Sequence, residues 1–527
     1  MMDKKITSLS IANPDGNALG TVQKLAIALG LTGLFIFVLA LVNVNFPLKA
    51  AWLFTSIVFI MAGIIIYSVS TYKNLPEGIK NNGVYFKSMS AKGLLGWATG
   101  VVLTALYVFL YWFPQYLGQA KDGAANTGLV GLFDPLSYAL NGHPASQWFV
   151  YGVLYTMAIL SFGVKFILKY RHNKYQLVRT ISVMFFQLGF AFLIPELLTK
   201  LNPALPYFSK DVKNMWPLNY YFFEDWHLKG MLAGGNLGMF MLLFGLAMIF
   251  IISPILTYFY GKRWYCSWVC GCGGLAETAG DPFRHLSSKK LSAWKFERWS
   301  IHTVLVFITL TTIAVLYTFL GDNAKDVLIS RKQFTWGIVI FLSLVIGTLL
   351  LFKRKQLDTD AKYTLASLGI IVVGVILLSF FFGQNNIFFI DSNQLRSWYG
   401  FAIGAAFSGV IGVGFYPLMG SRVWCRFGCP MAAILGLQQK IFSRFRITTN
   451  GGQCISCGNC STYCEMGIDV RAYAQKGENI IRSSCVGCGV CAAVCPRGVL
   501  KLENGNEKTR YNNDPIVIAK DGITLTD

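Results

Sequence analysis

Ten apolar stretches of about twenty residues constrain this 527-residue chain more than any other feature. They lie at about 25–44, 51–70, 93–116, 148–168, 181–198, 231–258, 301–320, 335–352, 363–382 and 398–419. A helix of about 20 apolar residues crosses a bilayer and satisfies its own backbone hydrogen bonds there. Hydrophobic residues are 54% of the chain and charged residues 13%, against about 25% charged in soluble domains, so an ordinary soluble enzyme is excluded. The net charge of +21 would suit a nucleic-acid binder. The basic residues, however, sit between the apolar stretches on alternate sides, which is the positive-inside pattern. Lipid is the expected surrounding, and no nucleic-acid partner is expected.

The loop charges set an orientation. Lys4 and Lys5 lie in a polar tail, 1–24. Lys73, Lys80, Lys87 and Lys92 follow the second run, and Lys169, Arg171, Lys174 and Arg179 the fourth. Arg284 to Arg298 and Lys353-Arg354-Lys355 mark the same side later. This side is predicted to be cytoplasmic, with both termini on it. Lys200, Lys210, Lys213 and Lys229 are the exceptions, in an outer loop rich in aromatics from Tyr207 to Trp226. That loop reads as an interfacial aromatic belt, with a docking face for a partner as the second reading. The first run lacks a small-residue cleavage site after it and reads as an uncleaved helix.

All thirteen cysteines fall after residue 265. Eight make C-x2-C-x2-C-x3-C twice, from Cys454 to Pro496. This is the run of a two-cluster bacterial ferredoxin, in which the fourth cysteine of each run serves the other cluster. The spacing assigns Cys454, Cys457, Cys460 and Cys495 to one [4Fe–4S] cluster. Cys485, Cys488, Cys491 and Cys464 go to the other. Zinc sites usually pair two short hooks instead, and cysteines clustered at ligand spacing point to metal and a reducing compartment rather than disulfides. Glu465 stands where a proline often follows the fourth cysteine and removes no ligand.

Two further pairs follow the sixth and tenth runs. Lys262-Arg263-Trp264-Tyr265-Cys266 leads to Cys270, and Ser421-Arg422-Val423-Trp424-Cys425 leads to Cys429-Pro430. Each pair is C-x3-C, which on a helix shares a face. Helices three to six and seven to ten thus read as a four-helix pseudo-repeat. Four thiolates from Cys266, Cys270, Cys425 and Cys429 suit a further iron–sulfur centre. A redox-active thiol pair, a transient metal site and plain helix packing are the other readings. Cys272 breaks the symmetry and reads as a bystander.

The expected fold is a polytopic α-helical membrane protein of about ten helices with a C-terminal α+β two-cluster ferredoxin domain. Its units are a tail 1–24, helices one to six across 25–260, a cysteine-containing cytoplasmic loop 261–300 and helices seven to ten across 301–420. The linker 421–453, the ferredoxin domain 454–503 and a tail 504–527 follow.

Cys425-Arg-Phe-Gly-Cys429-Pro430 followed by the two runs of 454–496 resembles the NosR/NapH/CcoG-type membrane polyferredoxins; the resemblance covers roughly 232–500. It departs from the NosR type in lacking a periplasmic flavin domain, and from the NapH type in its number of helices. In the Cys266–Cys270 pair Gly271 replaces the proline. The resemblance implies a bacterial inner-membrane electron-transfer protein, an oxidoreductase component serving a respiratory or periplasmic reductase system. Its partners would be the quinone pool, a soluble electron carrier or a protein redox partner within a respiratory complex. Other members imply maturation of a respiratory oxidase by metal reduction; a redox-sensing or anchoring subunit is a third reading.

The remaining candidates are few. Glu196, after Pro195 at the outer end of the fifth helix, is a carboxylate at membrane depth and the weak candidate for the base of a quinol site, with Glu224 and Asp225 nearby in sequence. A solvated interfacial carboxylate is the other reading. His143, His172, His227, His285 and His302 fall in loops or near helix ends and offer no haem pair. His143 and His227 are expected solvated or interfacial, with an outer metal site as the lesser reading. Lys165 is expected to snorkel to the headgroups. No Walker loop, Rossmann glycine pattern or nucleophile elbow is present.

Overall fold

The computed structural model describes residues 19–73, 90, 92–121, 124–322, 329–352, 359–505, 516–519 and 522–525. The polar tail through residue 18, Lys80 and Lys87, Lys353-Arg354-Lys355 and residues 506–515 lie outside the described residues.

Among the described residues, eight helices are long and apolar enough to cross a membrane. They are α1 (Thr21–Leu41), α2 (Lys49–Tyr72), α3 (Leu94–Trp112), α4 (Gln147–Lys169), α5 (Lys174–Leu201), α6 (Gly235–Tyr260), α7 (Leu291–Asp322) and α8 (Arg331–Leu351). The ninth and tenth expected spans are also helical: α9 (Thr359–Phe381) and α10 (residues 392–411). Large apolar residues such as Leu243, Phe250, Ile251, Phe341 and Leu344 face outward, as a lipid-facing surface requires. Two boundaries moved. The helix of the seventh run starts at Leu291, ten residues before the apolar stretch, because Trp294, Lys295 and Arg298 continue the helix beyond the apolar segment. A separate helix, Asp225–Ala233, precedes α6, and the pair breaks at Gly234-Gly235, where Gly235 takes φ +59°.

Wide π turns interrupt three spans: Phe186–Leu193 in α5, Met248–Ile252 in α6 and Gly400–Ile411 in α10. Pro195 and Pro254 follow the first two directly. A proline cannot donate to the carbonyl four residues back and crowds it, and a wider turn absorbs the conflict.

The chain does not leave the bundle after α6. Gly261 takes φ +64°, a conformation open to glycine, and a side chain there would run into Gln439 and Phe445. The chain reverses through Arg263–Cys266 into the short helix Gly271–Thr278. Gly271 packs against Tyr155 and Gln187, and Gly274 against Val183 and Ile159, the middle of α4 and α5. The sequence after α10 repeats the reversal: Gly420 has φ +99°, Val423–Phe427 corresponds to Arg263–Cys266, and α11 (Pro430–Phe442) corresponds to Gly271–Thr278. Trp424 stacks near Phe407 of α10, ring centroids 6.0 Å apart. Both C-x3-C segments therefore fold back to the level of the spanning helices, one against α4 and α5 and the other against α10.

The cysteine-rich domain is closed by β1 (Phe445–Thr449) and β2 (Leu500–Asn504), antiparallel with Ile447 opposite Leu502. All of β1 is buried. A second hairpin, β3 (Ile516–Ala519) with β4 (Gly522–Leu525), ends the chain. One hydrophobic core joins the two parts: it holds Trp264, Cys266, Trp424 and Cys425 from the fold-back segments together with Phe445, Ile447, Met466, Ile480 and Cys485.

Candidate iron–sulfur sites

All thirteen cysteines are free thiols. One cavity is lined by Cys454, Cys457, Cys460 and Cys495, with Gly458 and Pro496 beside them. Its neighbour is lined by Cys464, Cys485, Cys488 and Cys491, with Met466 and Ile480. The crossed grouping predicted from spacing is the grouping that lines the two cavities. Among the described residues, no three of the cysteine sulfurs lie within 4.8 Å of one another. Tetrahedral zinc, with Zn–S near 2.3 Å, would draw its sulfurs to about 3.8 Å. Thiols set wider around a cavity fit a polynuclear iron–sulfur cluster.

The two sets differ in exposure. Cys457 is exposed, while Cys485 and Cys491 are buried. The second run lies against the membrane part. Ser267 Oγ donates to the Val486 carbonyl at 2.8 Å, Tyr175 OH to Gly487 at 2.9 Å and Gln176 Nε2 to Cys488 at 2.9 Å. Gln439 Nε2 donates to the Cys485 carbonyl at 2.9 Å.

Cys266, Cys270, Cys425 and Cys429 are all buried in the shared core. Burial pushes the Cys429 thiol well up, and Cys425, Cys266 and Cys270 add to the effect. Arg422 Nη1 donates to Cys425 Sγ at 3.6 Å and the Ala432 N–H to Cys429 Sγ at 3.4 Å. Burial pushes the Cys266 thiol up to about 12, against the pull of Lys262. A donor set this dry holds thiolates when a metal centre compensates them. Cys272, read from the sequence as a bystander, packs against the same core.

A buried ionic network surrounds the second run. Glu465 Oε2 lies 2.8 Å from Arg284 Nη1 and its Oε1 3.0 Å from Arg422 Nε. Glu277 pairs with Arg179 and Arg422. Asp281 pairs with Arg284 at 2.9 Å, Lys169 at 2.7 Å and Lys165 at 3.5 Å. Burial opposes charge on Asp281, but Lys169, Lys165 and Arg284 hold its carboxyl well below the usual range. Lys165 is therefore buried in this network and does not reach the headgroups. Glu277 and Glu465 come within 4.8 Å of Cys488. Sequence reasoning missed this network; the signal available was a glutamate after Cys464 in place of proline, together with arginines beside the C-x3-C pairs.

The other candidates are scattered. Glu196 accepts from Asn141 Nδ2 at 2.7 Å. Glu224 instead pairs with Arg396 at 2.5 Å and Asp225 with Lys229 at 3.0 Å, so no carboxylate pair forms at Glu196. His227 is 1% exposed, not solvated: Nε2 accepts from the Ser209 N–H at 3.1 Å and Nδ1 lies 3.0 Å from the Phe222 carbonyl. Both ring nitrogens are used, because the aromatic loop closes over the start of the Asp225–Ala233 helix. His172 and His285 contact the Ala493 and Ser90 carbonyls.

A bundle of membrane-spanning helices carrying a ferredoxin-type domain and cysteine pairs folded in beneath it defines a membrane-type polyferredoxin, an iron–sulfur electron-transfer membrane protein. Residues 446–496 match the family described as a 4Fe-4S dicluster domain. The family described as a 4Fe-4S binding domain matches twice, over 242–292 and 401–448. Those two matches are the two fold-back segments with the helices that deliver them, which makes the repeat explicit. The chain is also similar to the Escherichia coli (strain K12) protein named Putative electron transport protein YccM, 24% identical over 224 residues, 42% of this chain and 47% of that protein. The chain thus spans about half the length of that relative. No solved structure matches.

Proposed function

We propose that the chain holds three cysteine-ligated centres in a series running from the aqueous face into the membrane. Cys454, Cys457, Cys460 and Cys495 form the outermost set. Cys464, Cys485, Cys488 and Cys491 form the middle set, and Cys266, Cys270, Cys425 and Cys429 the innermost. Iron–sulfur clusters bound there supply one-electron transfer. The chain's residues space the sets, exclude water from the inner two and surround them with fixed charge. The observation that carries this reading is the seat of the second run on the fold-back segment, through Ser267 on Val486 and through Gln439, which joins Lys262 N (2.8 Å) to the Cys485 carbonyl.

Lys289 donates to the Thr462 carbonyl at 3.4 Å and His172 contacts the Ala493 carbonyl at 3.3 Å, so the basic segments that hold Arg171, Lys174, Lys289, Lys290 and Arg298 adjoin the ferredoxin domain, which supports a cytoplasmic placement in a bacterial inner membrane. Function then consists of linking a soluble carrier on that face to the membrane, either to the quinone pool or to an outward redox partner, as the resemblance to NosR/NapH/CcoG-type proteins implies. Iron analysis tests the series. Purified protein is expected to hold about twelve irons per chain, falling to about eight in the double variant Cys266→Ser, Cys425→Ser. About eight irons in both proteins would refute the innermost centre.

A further inference from the structure

Lys262 is 1% exposed. Among the described residues no carboxylate pairs with its ammonium, which reaches only the Ala432 carbonyl at 3.5 Å. A buried cation without an anion is strongly unfavourable, and its surroundings show where the anion lies. The Lys262 N–H donates to Gln439 Oε1 at 2.8 Å, and the Cys266 N–H donates back to the Lys262 carbonyl at 2.9 Å. Gln439 in turn holds the Cys485 carbonyl. Lys262 is thus fixed between the first cysteine of the fold-back segment and the first cysteine of the second run. Burial pulls the Lys262 ammonium below its ordinary range, and Cys266, Cys485, Glu297 and Cys425 act against that burial to keep it charged. Glu297 is already bound by Arg426 at 2.6 Å. The counter-charge left for Lys262 is that of thiolates from two different sets.

A cluster wrapped in four thiolates is a net anion and gains a further negative charge on reduction, so a fixed cation beside it favours the reduced state. We propose that Lys262 is a shared electrostatic positioning residue, raising together the reduction potentials of the centres at Cys464/Cys485/Cys488/Cys491 and at Cys266/Cys270/Cys425/Cys429. None of these hydrogen bonds ties Lys262 to the set at Cys454, Cys457, Cys460 and Cys495. This inference rests on the three-centre reading above. It assigns Lys262 a role that neither ligation nor packing requires, since its side chain touches no carboxylate and fills no turn.

Redox titration of the full-length purified protein, followed by electron paramagnetic resonance, tests it in Lys262→Met, Lys262→Gln and Lys262→Arg. In the Met and Gln variants the potentials of two centres are expected to fall while the third stays in place, and Arg is expected to restore both. If Met and Gln lose iron and Arg keeps it, the positive charge is what the centres need, which supports the proposal. Unmoved potentials, an equal shift of all three centres, or iron loss in Arg as much as in Met would overturn it. Iron content of the unsubstituted protein separates the two claims: about eight irons per chain removes the innermost centre and this inference with it, whereas about twelve with no selective shift removes only the role of Lys262.

Discussion

Arg422 and Glu465 face each other with both side chains fully buried, Nε 3.0 Å from Oε1. One belongs to the segment that folds back after α10, the other follows a ferredoxin-type cysteine, so this pair ties the redox domain to the bundle. Arg284 holds the second oxygen of Glu465. Removing the glutamate would leave Arg284 with Asp281 alone and Arg422 with Glu277 alone, each buried guanidinium short of one counter-charge. Glu465→Ala is therefore expected to destabilise the fold by about 3–5 kcal/mol, seen as a lower denaturation midpoint and faster cleavage in the linker 440–453. A loss under about 1 kcal/mol would show that the pair contributes little.

The reversals at Gly261 and Gly420 need the left-handed backbone that a side chain resists. At Gly420, φ +99°, a β-carbon would also strike Ser287. Gly420→Ala is expected to cost at least about 1–2 kcal/mol and to reduce iron content, because Cys425 and Cys429 depend on this turn for their place. Retention of full iron and thermal stability would mean that the cysteine pair is positioned by other contacts.

The spans were legible because lipid demands continuous apolar runs, and the ferredoxin sets because cluster geometry fixes cysteine spacing. The likeness of Cys266-x3-Cys270 and Cys425-x3-Cys429 was visible as a repeat. Their depth was not. Loop charges place residues 261–300 outside the bundle, yet two glycines with positive φ turn the cysteine segments back, with Gly271 against Tyr155 and Gln187 and Trp424 against Phe407. Nothing in periodicity reveals such a re-entry. The buried ions were hidden for a related reason. Lys165, Asp281 and Glu465 look like isolated surface or snorkelling charges until tertiary packing supplies partners more than a hundred residues away.

Asp281 gathers Lys169, Lys165 and Arg284 at the inner end of α4. Its folded carboxyl is held well below the ordinary range by those cations, acting against burial. A depressed carboxyl stabilises the fold fully above its unfolded value of about 3.9 and loses that contribution only as pH falls through the lower folded value. Asp281→Asn should thus weaken the protein by about 3–5 kcal/mol, and by no less at pH 6 than at pH 8. Thermal unfolding at both values measures this; a penalty that shrinks at pH 6 would contradict the pairing.

The two ferredoxin-type sets differ in exposure chiefly at Cys457, since Cys460 of the same set is buried. Cys457 is open to solvent, whereas Cys485 and Cys491 are buried against the membrane part. A small hydrophilic oxidant such as ferricyanide, with a chelator, is expected to remove iron in two steps. About four irons leave first, with the paramagnetic signal of the Cys454 set, and the remainder leave slowly. Because a domain of this size has too little apolar core to hold itself together without its metal, the first step should expose residues near 451–458 to protease. Residues 485–491, clamped by Tyr175, Gln176 and Gln439, should remain protected. Loss of all iron in a single phase, with both runs cleaved together, would mean that the two sets share one access route and that docking on the bundle shields neither.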